Sequence, residues 1–248
     1  MAEGSGVKRA DRSFGLLLVV VTVLAAAATV LAGPQLEIIN PTTDFGKVPQ
    51  NKVVSTDFFI KSIGDEPLKI LTLWSGCGCA DIPLTDSTID PGDSLKLTIT
   101  FSTGRELGRT LKKPSVVTNA FTDVIKLSIA AEVVLSLEDA DPVGVTPDVV
   151  DVSQYGGKTR RIGHFSFENK SSEDFRILVV DSARKSFEVR VPDMLKAGQT
   201  VEGKLRVIDS KVDKDFQESV TFRFEGKEGY NYTLPVVRHY RPENPAQQ

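Results

Sequence analysis

Two cysteines, Cys77 and Cys79, stand one glycine apart in Gly76-Cys77-Gly78-Cys79, and they are the chain's only two. This spacing admits several chemistries. A disulfide between them would close a minimal ring, with Gly78 supplying the backbone freedom. Alpha carbons two residues apart lie about 5.5–7 Å apart, at the outer edge of disulfide geometry. Such a ring stabilises little: chain entropy gives about 1.6 kcal/mol, against about 4.7 for a loop of a hundred residues. A strained or partly reduced disulfide that locally rigidifies a turn is the plain reading, because exported cysteines oxidise. A strained disulfide is easily reduced, which makes the pair a candidate for thiol–disulfide exchange with a partner. Lys69 and Arg105 are the bases near enough in sequence to lower a thiol pKa. One cysteine bonding another chain is a third reading. A soft metal such as Cu(I) is the fourth, although a closed tetrahedral site needs two more ligands. The two histidines, His164 and His239, lie far along the chain.

Other chemical signals are sparse. The sequence has no Gly-x-Gly-x-x-Gly, no Walker-type loop, no His-Glu-x-x-His and no Gly-x-Ser-x-Gly, so nucleotide, zinc-protease and serine-hydrolase chemistry lack support. We expect a non-enzyme without cofactors, the dithiol being the single candidate chemistry. Two basic clusters stand out: Arg105, Arg109, Lys112 and Lys113, and Lys158, Arg160 and Arg161. They read as edge-strand protection or as a docking patch for an acidic partner. Asn169 and Asn231 open Asn-x-Ser/Thr triplets, which matter only in a eukaryotic secretory pathway.

The elements that position these residues begin with an export segment. Lys8, Arg9 and Arg12 precede nineteen uncharged residues, 14–32, a basic region followed by an apolar run. Val30-Leu31-Ala32 before Gly33 suits cleavage, and the run is just long enough to stay as a membrane anchor. No cysteine follows it, which excludes a lipid-anchored form. Either way, residues beyond Gly33 are expected outside the cytoplasm. The chain has 248 residues, 40% hydrophobic and 25% charged, ordinary for a folded protein. A net charge of −3 argues against nucleic-acid binding.

Beyond residue 33, segments such as 55–62 (STDFFIKS), 94–101 (SLKLTITF) and 124–133 (VIKLSIAAEV) alternate apolar and polar residues, the period of half-buried strands. Shifted by 107, the chain matches itself: Asp44-Phe45 falls on Asp151-Val152, Val48 on Tyr155, Phe58 on Phe165, Leu68 on Phe175, Leu73 on Val180 and Leu127 on Leu234. With a shift of 106, Gly92 falls on Gly198, Ile99 on Leu205 and Phe101 on Val207. What repeats is the inward-facing set, which fixes register. The expected architecture is all-β: two tandem immunoglobulin-like β-sandwich domains after an N-terminal hydrophobic helix. The expected boundaries are 1–33 for the export segment, 34–136 for the first sandwich, 137–146 for a semi-rigid acidic linker, 147–241 for the second sandwich and 242–248 for a disordered tail. The second copy reads DSARKSF where the first reads WSGCGCA, so the thiols belong to a site and not to the scaffold.

The first half carries Asp44-Phe45-Gly46-Lys47-Val48, Gly64-Asp65-Glu66-Pro67, the Cys-Gly-Cys turn, Asp90-Pro91-Gly92-Asp93 and Thr118-Asn119. With these elements it resembles, over about residues 36–134, the bacterial envelope family called domain of unknown function 1573. Gly76 and Ala80 depart from that family's pattern, and the second half resembles it only in outline. The resemblance implies an immunoglobulin-like fold related to one in some ciliary and centrosomal proteins, and it implies a place in the cell envelope. The expected function is a non-enzymatic binding or assembly protein, exported or tethered on the periplasmic side of the inner membrane. Its expected partners are another envelope protein, and the membrane through residues 14–32 if these are kept; none is a nucleic acid. The rivals are an envelope thiol–disulfide protein using Cys77 and Cys79, and a copper-binding protein.

Overall fold

The computed structural model describes residues 1, 33–75, 80–81, 88–120, 124–181 and 186–242. The apolar run 14–32, Cys77, Cys79 and nearly all of the tail 242–248 lie outside the described residues. Among the described residues no helix is long and apolar enough to cross a membrane, and secondary structure is β apart from one 3-10 turn, Asp209–Lys211.

In chain order the first half forms β1 (Leu36–Ile39), β2 (Thr42–Pro49), β3 (Val53–Ser62), β4 (Leu68–Trp74), β5 (Ala80–Asp81), β6 (Thr88–Ile89), β7 (Ser94–Ser102), β8 (Gly108–Lys112), β9 (Ser115–Thr118), β10 (Ile125–Lys126) and β11 (Ser128–Val134). One sheet runs β1-β3-β7-β5, and β10-β9-β4-β6 and β2-β11-β8 supply the other face. The Lys113-Pro114 step separates β8 from β9, because proline offers no amide to the ladder. The Pro114 carbonyl still accepts from Leu127 N at 2.8 Å, so β8 and β9 face β11 and β10 as one interrupted pair. Alternate residues bury Phe58, Ile60, Leu97, Ile99, Phe101, Val116, Ile129 and Val133 between the faces, as a two-residue period requires.

The second half forms β12 (Val143–Thr146), β13 (Val150–Asp151), β14 (Gln154–Tyr155), β15 (Ile162–Asn169), β16 (Phe175–Asp181), β17 (Phe187–Arg190), β18 (Met194–Leu195), β19 (Thr200–Val207), β20 (Phe216–Glu225), β21 (Gly229–Arg238) and β22 (Tyr240–Arg241). Sheet β12-β15-β19-β17 packs on β18-β16-β20-β21. Its core is aromatic: Phe167 stacks edge-on against Phe222 and Phe224 with ring centroids 4.9 and 5.0 Å apart, a favoured geometry.

The self-match is a repeat of strand register. Phe58 opposes Leu97 as Phe165 opposes Gly203. Thr43 pairs in parallel with Ile129 as Val150 pairs with Val236. Ala80 opposes Phe101 as Phe187 opposes Val207. An Asp turn recurs as well: Asp44 Oδ1 accepts from Gly46 N at 2.8 Å, and Asp151 Oδ1 from Ser153 N at 2.7 Å. At Asp151, burial would raise the pKa, but the hydrogen bonds from Ser153 and the charge of Arg160 outweigh it, and the net shift is downward.

Three expectations need correction. Val48 is buried, whereas its counterpart Tyr155 is 66% exposed, because β14 turns away to pair with β22. Leu73 is half-buried while Val180 is exposed, because Leu73 stands beyond the bulge at position 71, whereas Val180 is itself the residue that the β16–β20 register skips. The stretch 137–146 is not a linker. It contains β12, and Leu137, Ala140, Val143 and Val145 lie in the second core. Leu36 opposes Ser62 as Val143 opposes Asn169, so the repeat begins with these first strands.

The two sandwiches are joined along a continuous sheet. Lys47 of β2 pairs with Tyr232 of β21, giving the order β18-β16-β20-β21-β2-β11-β8. Around this seam the second sandwich satisfies backbone groups of the first. Asn231 Nδ2 donates to the Asp44 carbonyl at 3.0 Å and Thr233 Oγ1 to the Phe45 carbonyl at 2.6 Å. Ser219 Oγ accepts from Ser55 N at 3.2 Å and donates to the Ser55 carbonyl at 3.3 Å. Gly46, at φ +62°, lets the first backbone come so close that a side chain there would land on the Asn231 carbonyl.

Candidate functional site

β4 ends at Trp74, opposite Ser115, and the chain re-enters the other sheet at Ala80, opposite Phe101. Residues 75–79 therefore connect the two faces at one end of the first sandwich. Cys77 and Cys79 fall in this crossing, outside the described residues, and none of the disulfide, redox or metal readings is resolved by geometry. The second sandwich makes the same crossing from Asp181 to Phe187 with no cysteine, so the fold closes without sulfur there.

The flanks of the crossing are described. Trp74 is 68% exposed and Leu71 60%. Leu71 follows Ile70 at a bulge in the β4–β9 pairing, which turns this part of β4 out of the inward alternation. Trp74, Val117 and Val124 line an open groove of about 940 Å³, with Lys113 and Lys126 on its rim. An exposed indole beside a valine and two cations is a surface that an apolar or anionic group can occupy. Lys69, considered as a neighbour of the thiols, sits five residues from Trp74 and pairs with Thr88, about 17 Å along the strand at the opposite end. Arg105 is at the crossing's end, where its carbonyl accepts from Gln50 Nε2.

The first basic cluster runs along β8, which pairs with β11 alone among the described strands. Arg109 reaches Asp44 at 3.8 Å, a pair too exposed to contribute much. Lys112 and Lys113 continue the run to the groove. Lys158, Arg160 and Arg161 belong to the loop before β15, on the other sandwich, and β15 is an interior strand. Arg161 binds Asp209 at 2.6 Å, and the Arg160 carbonyl accepts from Arg238 at 2.7 Å. Among the described residues no hydrogen bond or ion pair joins the two clusters, so they are two surfaces.

Among the described residues no group of three His, Cys, Asp or Glu could hold a metal. Asn169 is buried and its amide bridges the Glu173 and Leu195 carbonyls, and Asn231 stands in the seam, so neither asparagine is a free acceptor.

Sequence reasoning missed the seam and the exposed apolar end. Ser219, Thr221 and Thr233 stand where an outward strand face meets a partner, yet small hydroxyl residues on an outward face are also ordinary surface. Trp74 offered a signal, a tryptophan at a strand end. Arg238 was missed as well. It is wholly buried, and its guanidinium donates to the Val152 carbonyl at 2.5 Å, to the Gln154 side chain at 3.1 Å and to the Val212 carbonyl. It ties three segments together at the end of the second sandwich, and burial pushes its pKa down.

The family profile described as protein of unknown function (DUF1573) matches residues 36–133, which is the first sandwich and the extent of the resemblance read from its motifs. No curated protein matches the chain. Among solved structures, the chain is similar to the ASH/PapD-like domain 7 of human CEP192 at 12% identity, covering 40% of this chain and 84% of that one, with a TM-score of 0.32. It is similar to a protein of unknown function from Porphyromonas gingivalis W83 at 9% identity, covering 83% and 100%, with a TM-score of 0.34. The YadV chaperone is similar at 12% identity, covering 81% and 98%, with a TM-score of 0.31.

Proposed function

We propose that this chain is a non-enzymatic binding or assembly module of the bacterial envelope, exported or tethered by residues 14–32, that engages another envelope protein through the open end of its first sandwich. The observation that carries this reading is the exposed Trp74, with Val117 and Val124 beside it in the groove. A solvated tryptophan of this kind is costly unless a partner covers it. The seam supports the reading, since a body built on backbone-satisfying contacts presents that end in a constant orientation. Cys77 and Cys79 follow Trp74 by three and five residues in the sequence, so a disulfide between them would constrain the chain that leaves Trp74.

Photocross-linking tests this reading. A photoreactive phenylalanine analogue at position 74 is expected to give a discrete adduct with an envelope protein in living cells, and one at Lys204 on the second sandwich is not. Equal labelling at both positions, or none at position 74, overturns it. The thiol–disulfide reading is separated by the Cys77–Cys79 reduction potential and by Cys77→Ser and Cys79→Ser. Loss of phenotype with a potential above about −300 mV favours exchange chemistry, and normal adducts from both variants favour docking.

A further inference from the structure

The long strand formed by β8 and β9 is covered unequally. Against β9, Ser115–Thr118, β4 pairs from Ile70 to Trp74. Beyond Trp74 that side of β8 has no strand among the described residues, because the chain leaves for the other sheet. The direction of the backbone groups follows from the ladder. Leu127 N donates to Pro114 O, and bonded pairs in an antiparallel ladder alternate. Lys112, Thr110 and Gly108 therefore spend their amides and carbonyls on Ile129, Ala131 and Val133. Arg109 and Leu111 point theirs outward, on the side where Asn119 N donates to Lys69 O of β4 at 3.1 Å.

We propose that this edge of β8 accepts an extended acidic segment of a partner as an added strand, in line with β4. The inference rests on the binding reading above and names the partner's chemistry. Residues 105–113 hold four cations, Arg105, Arg109, Lys112 and Lys113, against one anion, Glu106, a net charge of +3. That charge disfavours a second copy of β8, since like charges facing across a strand pair repel. It selects a strand carrying Asp or Glu. Leu107 and Leu111 are 61% and 53% exposed, which leaves apolar surface for the partner's alternate residues. Main-chain bonds to Arg109 and Leu111 supply affinity, and side-chain alternation supplies specificity.

The other half of the molecule shows how such a position is used. By the 106 shift, Lys113 corresponds to Ser219. Ser219 is the residue whose hydroxyl holds the Ser55 amide and carbonyl of the neighbouring sandwich. The equivalent position of the second sandwich thus reaches a strand of the first through its side chain, with no ladder between β20 and β3, and the stretch in the first has no such neighbour among the described residues.

The test uses the full-length chain in detergent and a fluorescent peptide alternating Glu and Val, with a Lys–Val counterpart and a Glu–Val form carrying a central Pro. Saturable binding of the Glu–Val peptide alone, weakened by salt, is expected. Leu111→Pro removes only an outward amide, at an edge position that tolerates proline, and is expected to weaken binding about tenfold. Arg109→Glu with Lys112→Glu is expected to move the preference to the Lys–Val peptide, at a small loss of melting temperature because position 109 faces Glu132. Equal binding of the Pro-containing peptide, an unchanged preference in the charge-reversed variant, or no saturable binding overturns the proposal. Failure here with intact cross-linking at position 74 overturns the strand addition alone.

Discussion

The hydroxyl of Ser219 holds both backbone polar groups of Ser55, 164 residues away in the chain. β1 covers β3 from Phe59 to Ser62 and stops, so the edge at Ser55 has no strand there among the described residues. Ser219 substitutes for that strand with one oxygen. Both residues are almost wholly buried, and a buried amide or carbonyl without a partner is costly. The contact therefore does more than accompany the docking of the sandwiches; it depends on it.

Ser219→Ala leaves the Ser55 amide and carbonyl unpartnered in the seam. The expected loss is about 2 kcal/mol in urea unfolding, with an unchanged denaturant slope. A change below about 0.5 kcal/mol, the level of ordinary surface substitutions, would show that water already serves Ser55.

Gly46→Ala meets two obstacles. The φ of +62° disfavours any side chain, and the added carbon lands on the Asn231 carbonyl. Backbone strain alone costs about 1–3 kcal/mol. Calorimetry is expected to show the single transition of the native chain splitting in two as the sandwiches part. A single unshifted transition would contradict this.

Gly203 lies under the ring of Phe165, as Leu97 faces Phe58. Gly203→Leu is expected to destabilise by about 1–3 kcal/mol through overpacking. Adding Phe165→Ala makes room and recovers part of that loss. Additive losses in the double-mutant cycle would mean that the pair does not share one site.

Asp151 has a lowered pKa, held down by Ser153 and Arg160 against the opposing effect of burial. A lowered native pKa favours folding wherever the carboxylate is ionised. Its contribution is thus complete at neutral pH, and it disappears as pH falls below about 4, the ordinary carboxylate value, and through the lower native one. Asp151→Asn is expected to flatten the stability–pH curve in that acid range and to lower stability at pH 7. An identical acid slope in the variant would refute the assignment.

The fold was legible because burial leaves a period in the sequence. Phe58, Ile60, Ile99 and Phe101 and their counterparts could be matched by spacing alone, since a shift of one residue would turn each to the wrong face. Val48 and Tyr155 matched in type but not in burial, because the path of β14 depends on β22 and not on local pattern. The stretch 137–146 was misread because Glu138, Asp139 and Asp141 outweigh, by composition, four apolar residues that the second core buries. The seam left no sequence period, since it is made of hydroxyls, the Asn231 amide and a single glycine. At the candidate site, the spacing of Cys77 and Cys79 and the basic run of β8 were visible, whereas the outward Arg109 and Leu111 amides emerge only from the register with β11.

The claim that two copies of one sandwich form a single body through the seam is tested most directly by a distance measurement between them. Spin labels at Lys126→Cys and Lys204→Cys, both on exposed positions, placed in a Cys77→Ser, Cys79→Ser background, report that distance by pulsed electron resonance. One narrow distribution is predicted, broadening on Gly46→Ala. A broad or multiple distribution in the otherwise unaltered chain would contradict a fixed seam.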